Sequence, residues 1–281
     1  VLRAKVSNKA EWDEVYVRAT PRRAVEALLG AAHRSVSEWH LYGWCDVCAA
    51  ASRFRCDWTA ADGDLPNYRE RLTCETCQLN SRQRLVLNLL RDVLAERRPK
   101  PGIYAYEEVT VLYRELVRRF PEATVIGSEY LGPEVERGAL VDSIRHEDAL
   151  SLSFEGETFD VVLSNDVYEH VPDVTLALRE AHRVLREGGV LMATLPFTFG
   201  STTERRARLA DGRVEHIRPP VFHGNPLSEQ GSLVFYDFGW DLLDLYREIG
   251  FVDVHFLCVH SWFHGYLGDG LTLFATKGGP G

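Results

Sequence analysis

The chain predicts an α/β protein, a doubly wound and mainly parallel sheet preceded by a smaller helical, cysteine-rich module. Three observations carry this. Beyond residue 99, apolar runs of about four to six residues alternate with helix-length segments, a pattern that calls for right-handed crossovers between parallel strands. Five of the six cysteines fall between residues 41 and 80, where no long periodic run exists. Charge also changes sign: residues 1–100 hold 17 Lys and Arg against 13 Asp and Glu, and residues 101–281 hold 15 against 28. Pro99-Lys100-Pro101-Gly102 marks the junction, so the expected division is 1–98 and 99–281.

With 281 residues, 45% hydrophobic and 26% charged, wholesale disorder is excluded and one large or two modest domains fit. No apolar run approaches the ~20 residues of a membrane-spanning helix. The first twenty residues mix charged and apolar types, unlike a secretory signal, so a soluble cytoplasmic protein with no membrane partner is expected. Residues 1–40 read as helical, with Pro21 starting a helix through Val25, Leu28 and Leu29. Residues 41–80 lack the apolar content for a core of their own and need a staple. Asn80 or Ser81 caps a periodic helix that carries Leu85, Leu89 and Val93 on one face and ends before Pro99.

The staple is legible. Cys45-Asp-Val-Cys48 and Cys74-Glu-Thr-Cys77 are two C-x2-C pairs with 25 residues between them. Each pair sets two thiolates on one tight turn, and two such turns complete a tetrahedral site suited to zinc. Two disulfides or a redox pair are the alternatives. A cytoplasmic compartment opposes the first, and neither pair opens the helix of a thioredoxin-like unit. All four ligands are protein, so the zinc would be structural. Cys56 and Cys258 read as ordinary buried thiols. Arg53, Arg55, Arg69, Arg71, Arg82 and Arg84 interleave with Phe54, Trp58 and Tyr68, but five acids sit among them, which reads as a solvated surface rather than a nucleic-acid reader.

Past the junction the expected elements are a strand at IYAY (103–106), a helix around Leu112 and Leu116, and a strand at ATVIG (123–127). A short strand at SIR (143–145), the buried strand FDVVLS (159–164), a helix over Val174–Leu185 and the strand VLMATLP (190–196) follow. A helix over Trp240–Ile249 stops at Gly250, and strands 252–259 and 271–276 close the chain.

The block FDVVLSNDVYEHVPDVTLALREAHRVLREGGVLMATLPF, residues 159–197, closely resembles the fourth through fifth strands of class I S-adenosylmethionine-dependent methyltransferases. VIGSEY at 125 and HEDALSLSF at 146 extend the likeness, which covers about residues 102–277. CETCQLNSRQR, residues 74–84, resembles bacterial members with an N-terminal zinc-binding segment. The resemblance implies a Rossmann-like seven-stranded sheet with one antiparallel strand, and adenosylmethionine at the strands' carboxyl ends. It implies that Glu129 accepts the ribose hydroxyls, with Tyr130 beside it, and that Asp148 and the backbone of Ala149 read the adenine. Asn165 and Asp166 would meet the methionyl group; His170 either packs on the cofactor or caps a helix.

One departure stands out. The family's first strand ends in a glycine-rich turn with an acid, and here IYAYEEVT places Ala105 at the acid and Glu107-Glu108 at the glycines. Side chains there either narrow the methionyl pocket and add negative charge, or Glu107, beside Tyr106, pairs with the cofactor's ammonium in place of the missing acid. A second register would take VIGSEYLG, with Gly127 and Gly132, as that turn, but leaves too few strands before FDVVLS. Between Pro196 and Trp240 lies an insert rich in His, Pro, Gly and aromatics, placed to cover the reactive methyl. His223 is the first candidate general base, with His216 and Asp237 behind it.

The expected function is methyl transfer to a small-molecule or saccharide-type acceptor, the acidic half being a poor partner for nucleic acid. Two rivals remain open: an RNA methyltransferase that uses the zinc module as reader, and a degenerate, non-catalytic protein of the same fold.

Overall fold

A computed structural model describes residues 1–97, 99–268 and 270–279. Arg98 and Gly281, at the limits of the expected domains, lie outside the described residues. The chain forms two units, one of residues 1–97 with 256–272, the other of residues 98–255 with 273–281. The N-terminal unit therefore includes a segment from near the end of the chain.

That unit opens with strand β1 (Leu2–Val6) and helix α1 (Lys9–Ala32). The helical reading of residues 1–40 is corrected twice here. Leu2–Val6 alternates outward and inward and pairs antiparallel with Phe256–His260, a partner about 250 residues away. Pro21 lies inside α1 instead of starting a helix, and Asn8 is the cap, accepting from the amide of Glu11. Strands β2 (Glu38–Cys45) and β3 (Ala50–Asp57) form a hairpin; after the short helix α2 (Tyr68–Arg71), β4 (Thr73–Cys74) adds a third strand. Helix α3 (Ser81–Ala95) begins in a reciprocal capping box between Asn80 and Gln83 and buries Leu85, Leu89 and Leu90.

Arg84 corrects the solvated-surface reading. It is fully buried on α3, donates to the carbonyls of His264 (2.6 Å) and Gly265 (2.7 Å), and lies 4.1 Å from the Phe54 ring. Other arginines of the set meet acids: Arg53 with Glu75, Arg55 with Glu38, Arg71 with Asp57, and Arg69 and Arg82 with Glu70.

The second unit contains β5 (Gly102–Ala105), α4 (Val111–Arg119), β6 (Thr124–Gly127), β7 (Leu140–Val141), β8 (Ile144–Arg145), β9 (Phe159–Asn165), α5 (Val174–Val184) and β10 (Leu185–Thr194). The insert holds β11 (Glu204–Arg205), β12 (Ala207–Ala210), β13 (Arg213–His216), β14 (Phe222–Asn225), β15 (Ser228–Leu233) and β16 (Tyr236–Asp237), and pairs β11 with β16, β12 with β13 and β14 with β15. Helix α6 (Leu242–Ile249) ends at Gly250, whose φ of 116° is the left-handed cap the sequence marks. Strands β17 (Phe251–His260) and β18 (Leu271–Lys277) follow.

Seven strands make one sheet in the order β1-β17-β18-β10-β9-β5-β6. Within it β6, β5, β9 and β10 run parallel, and β18 runs antiparallel to β10. This is the doubly wound, Rossmann-like arrangement expected. SIR, by contrast, is not a sheet strand. Asp142 and Ser143 both have positive φ (50° and 68°), the signature of a tight hairpin turn, so β8 folds back on β7. Among the described residues, a single parallel bridge, Glu129 with His146, continues the sheet beyond β6.

Val161, Val162 and Leu163 of β9, Ile103 and Tyr104 of β5, and Leu191 and Met192 of β10 are all buried, as a strand covered on both faces must be. Ala177, Leu178, Ala181 and Val184 of α5 are fully buried. Each large side chain so buried contributes about 1.5–3 kcal/mol.

Candidate functional site

In an open parallel sheet, ligands bind beyond the carboxyl ends of the strands where the chain reverses its direction of addition. Here β6 lies on one side of β5 and β9 on the other, so that switch point falls between β5 and β9. The residues that leave those ends are Tyr106 and Glu107, Glu129, and Asn165 and Asp166.

They converge. The Glu107 carboxylate accepts from the Asn165 amide at 2.6 Å, spanning the mouth between β5 and β9, and also from the Thr110 hydroxyl. One oxygen of Glu129 accepts from the backbone amides of Glu108 (2.8 Å) and Val109 (3.0 Å). The glycine-poor turn is thus tied down by a carboxylate from the neighbouring strand. Close approach needs glycine at a different place: a Cβ on Gly127 would lie 2.6 Å from the Glu107 carbonyl and 2.5 Å from the Tyr113 ring. Asp166, at φ 52°, accepts from the Thr194 hydroxyl at 3.2 Å.

Other expected contacts fare differently. The Tyr106 side chain enters the core, its ring 4.8 Å from Tyr104 and 5.7 Å from Tyr168, because its backbone still continues the β5 ladder toward Leu163. Tyr130 is 58% exposed and tilts over His146. Asp148 accepts from the amide of Leu150 in a local turn, with Ala149 half-buried inside it. His170 caps no helix. It ends a single 3₁₀ turn, Tyr168–His170, and Asp173 caps α5 instead.

The insert brings His223, on β14, to that turn. Its ring lies edge-on to His170 with centroids 5.0 Å apart, and its Nδ1 is 3.7 Å from Glu169. His216 lies exposed on β13, and Asp237 is taken up by Arg206 at 2.6 Å. Glu169, fully buried, was missed by sequence reasoning; the carboxylate directly before His170 in YEHVP was its only signal.

In the N-terminal unit, Cys45, Cys48, Cys74 and Cys77 bring four Sγ atoms within 4.8 Å of one another. Cys45 and Cys77 are 3.9 Å apart, as are Cys48 and Cys74. Disulfides would hold those sulfurs at ~2.05 Å, whereas four thiolates at ~2.3 Å around one zinc sit ~3.8 Å apart. The residues after each pair, Ala49 (φ 50°) and Gln78 (φ 60°), are both left-handed, which turns each second cysteine back toward the first. Burial, then the negative charge of Cys45 and Cys74, pushes the Cys48 thiol up to about 12. Hydrogen bonds from Cys45 and Cys77 hold Cys74 far below the ordinary thiol range. Such a cluster needs a cation to ionise fully, so its donors fit zinc.

Residues 111–193 match the family described as methyltransferase domain. This stretch of the chain is similar to methyltransferase domains. The match begins at α4, just past the divergent turn, and ends within β10. Arsenite methyltransferase of Aquipseudomonas alcaligenes is 34% identical over 136 residues, 47% of this chain and 35% of that protein. Ubiquinone biosynthesis O-methyltransferase of Ruegeria pomeroyi is 44% identical over 55 residues, 20% of this chain and 22% of its own. The chain thus spans about a third or less of the length of these relatives. Among solved structures, the 1,6-didemethyltoxoflavin-N1-methyltransferase of Burkholderia thailandensis aligns over 69% of this chain and 79% of that one, at 17% identity and a TM-score of 0.40. No helix among the described residues is long and apolar enough to cross a membrane.

Proposed function

We propose that the protein transfers a methyl group from S-adenosylmethionine to a small-molecule acceptor, and that a structural zinc on Cys45, Cys48, Cys74 and Cys77 holds its N-terminal unit together. The observation that carries this is the convergence of Glu107, Glu129 and Asn165 at the switch point of a sheet whose central strands fall in a methyltransferase domain.

In this reading the free oxygen of Glu129 accepts from the ribose, since its other oxygen is committed to the turn. Asp148 and Ala149 flank the adenine, with Tyr130 as a cover. Glu107, Asn165 and Asp166 receive the methionyl end, Glu107 supplying the negative charge that balances the ammonium. Tyr106 packs beneath the turn on Tyr104 and Tyr168, and its side chain takes no part in holding the cofactor. Methyl transfer is an in-line displacement that needs the acceptor held against the sulfonium and its proton removed. His223 is the catalytic residue on the acceptor side. His216 and Asp237 are set aside, the one by exposure and the other by its ion pair with Arg206.

Homologues named for arsenite and ubiquinone-biosynthesis methylation favour a small acceptor. So does the pairing of the arginines of the cysteine-rich module with acids, which leaves a mixed field for a polyanion. In this reading the protein works in a reducing compartment such as the cytoplasm, where the four thiolates stay available to a metal. The test is transfer from methyl-labelled adenosylmethionine in a nuclease-treated and an untreated extract. Label in the low-molecular-mass fraction of both supports the reading; label that appears only in RNA overturns the acceptor class.

A further inference from the structure

Glu169 presents an unusual state for a carboxylate. It is fully buried, and neither side-chain oxygen has a hydrogen-bond partner. A buried charge left this way is costly unless a cation meets it. Two imidazoles flank it: His170 Nε2 at 3.6 Å and His223 Nδ1 at 3.7 Å from the same oxygen. Both separations are too long for hydrogen bonds.

The His170 tautomer sharpens the point. Its Nδ1 lies 2.9 Å from the Leu233 carbonyl, which can only accept, so Nδ1 carries a proton, and in the neutral ring Nε2 then turns a lone pair toward Glu169. A lone pair facing a buried carboxylate oxygen repels it unless something positive lies between. Two N or O ligands held at ~2.1 Å from one ion are separated by ~3.4–3.6 Å at tetrahedral to trigonal angles. The donor atoms of Glu169, His170 and His223 lie within 4.8 Å of one another.

We propose that Glu169, His170 and His223 form a second metal site, for a divalent first-row ion such as zinc, manganese or iron. One carboxylate and two imidazoles suit such ions, and a carbonyl fixing the far nitrogen of a ligand histidine is the usual support for one. The site is of the open kind. His223 is 37% exposed and the protein supplies three ligands, so positions remain for an outside oxygen, unlike the closed four-cysteine cluster. The ion would also pin the β14–β15 hairpin to the turn after β9, a junction already made by Leu233 to His170 and by the Phe235 amide to the Glu169 carbonyl (2.7 Å).

The use of the site rests on the methyl-transfer reading. A hydroxyl acceptor bound to the ion would release its proton to bulk water more readily, and His223 would then act as a ligand in place of the base role given to it above. The existence of the site does not depend on that reading, and binding is measured apart from activity. Full-length protein with its cysteine cluster zinc-loaded is washed with a mild chelator, then titrated with Co²⁺ by calorimetry and absorption. One further equivalent is expected, with the spectrum of an N/O site rather than a thiolate one. Glu169→Gln and, separately, His223→Ala should each weaken it at least about tenfold while tryptophan fluorescence and thermal unfolding stay close to wild type. His223→Ala alters a half-exposed hairpin residue and keeps the test alive if Glu169→Gln folds poorly. No second equivalent, or one that both variants retain, overturns the proposal. Binding without methyl transfer to any small acceptor would overturn the functional reading and leave the site standing.

Discussion

Arg84→Met tests how the N-terminal unit is assembled from two distant stretches of chain. Arg84 is the buried tie to residues 256–272, through the carbonyls of His264 and Gly265. Each bond from a charged donor contributes about 1.5–3 kcal/mol, and the substitution strands Gly265 in a buried place. Two such bonds sum to about 3–6 kcal/mol, and loss of the cation over Phe54 adds about 1. Relief from burying a guanidinium without a carboxylate offsets part of this. The expected loss is therefore about 3–5 kcal/mol, a large share of the ~5–15 kcal/mol typical of a domain. Five of the six tryptophans (Trp12, Trp39, Trp44, Trp58 and Trp262) belong to this unit, so their fluorescence in urea, at fixed zinc, reports its unfolding. Arg84→Lys keeps the charge but not the fork and should recover less than half of the loss. A loss below about 1 kcal/mol for Arg84→Met would refute the reasoning, because two charged bonds to carbonyls cannot be that weak in a buried site.

Three further outcomes follow from the same geometry. Cys74→Ser should abolish stoichiometric zinc, read by elemental analysis of freshly purified protein, and unfold the N-terminal unit, whereas Cys56→Ser, whose buried thiol is pushed up to about 12, should keep both. Asp57, hydrogen-bonded by Arg71, is held at about 2 against 3.8 unfolded, so it stabilises the fold above pH ~4 and this contribution is lost as pH falls through about 2. After allowing for partial exposure that is about 1–2 kcal/mol, and Asp57→Asn should erase it, so that wild-type and variant stabilities converge as pH falls below about 2 in acid-titrated urea melts. Glu129→Ala should weaken adenosylhomocysteine binding by about 1.5–3 kcal/mol, with Glu129→Gln in between because its amide oxygen still ties the turn; unchanged affinity in both would place the ribose elsewhere.

What the sequence made legible was local. FDVVLSN is apolar enough to be buried on both faces and nothing but a central strand fits it. Asn80 with Gln83 writes its own capping box, Gly250 its own stop, and the paired C-x2-C turns their own cluster. What stayed hidden depends on partners far along the chain. Leu2–Val6 alternates like an edge strand, but its partner begins at Phe256, and propensity alone favoured helix. Arg84 looks like any surface arginine until residues 264 and 265 fold back over it. The short run at 143–145 has strand composition, yet left-handed Asp142 and Ser143 at its start decide for a hairpin. At the site, the sequence placed Glu107, Glu129, Asn165 and Asp166 at strand ends. It could not show that Glu129 is half spent on the turn or that Tyr106 is core, since both depend on neighbouring strands. Glu169 was invisible because its burial is created by a hairpin more than 60 residues later.

The most direct measurement is calorimetric titration of the zinc-loaded wild-type protein with adenosylhomocysteine. Glu107, Glu129 and Asn165 at the switch point call for one saturable site per chain, with a Kd in the micromolar range, about −8 kcal/mol. No saturable heat up to millimolar ligand, in protein whose circular dichroism shows it folded, would contradict the assignment of that crevice to the cofactor.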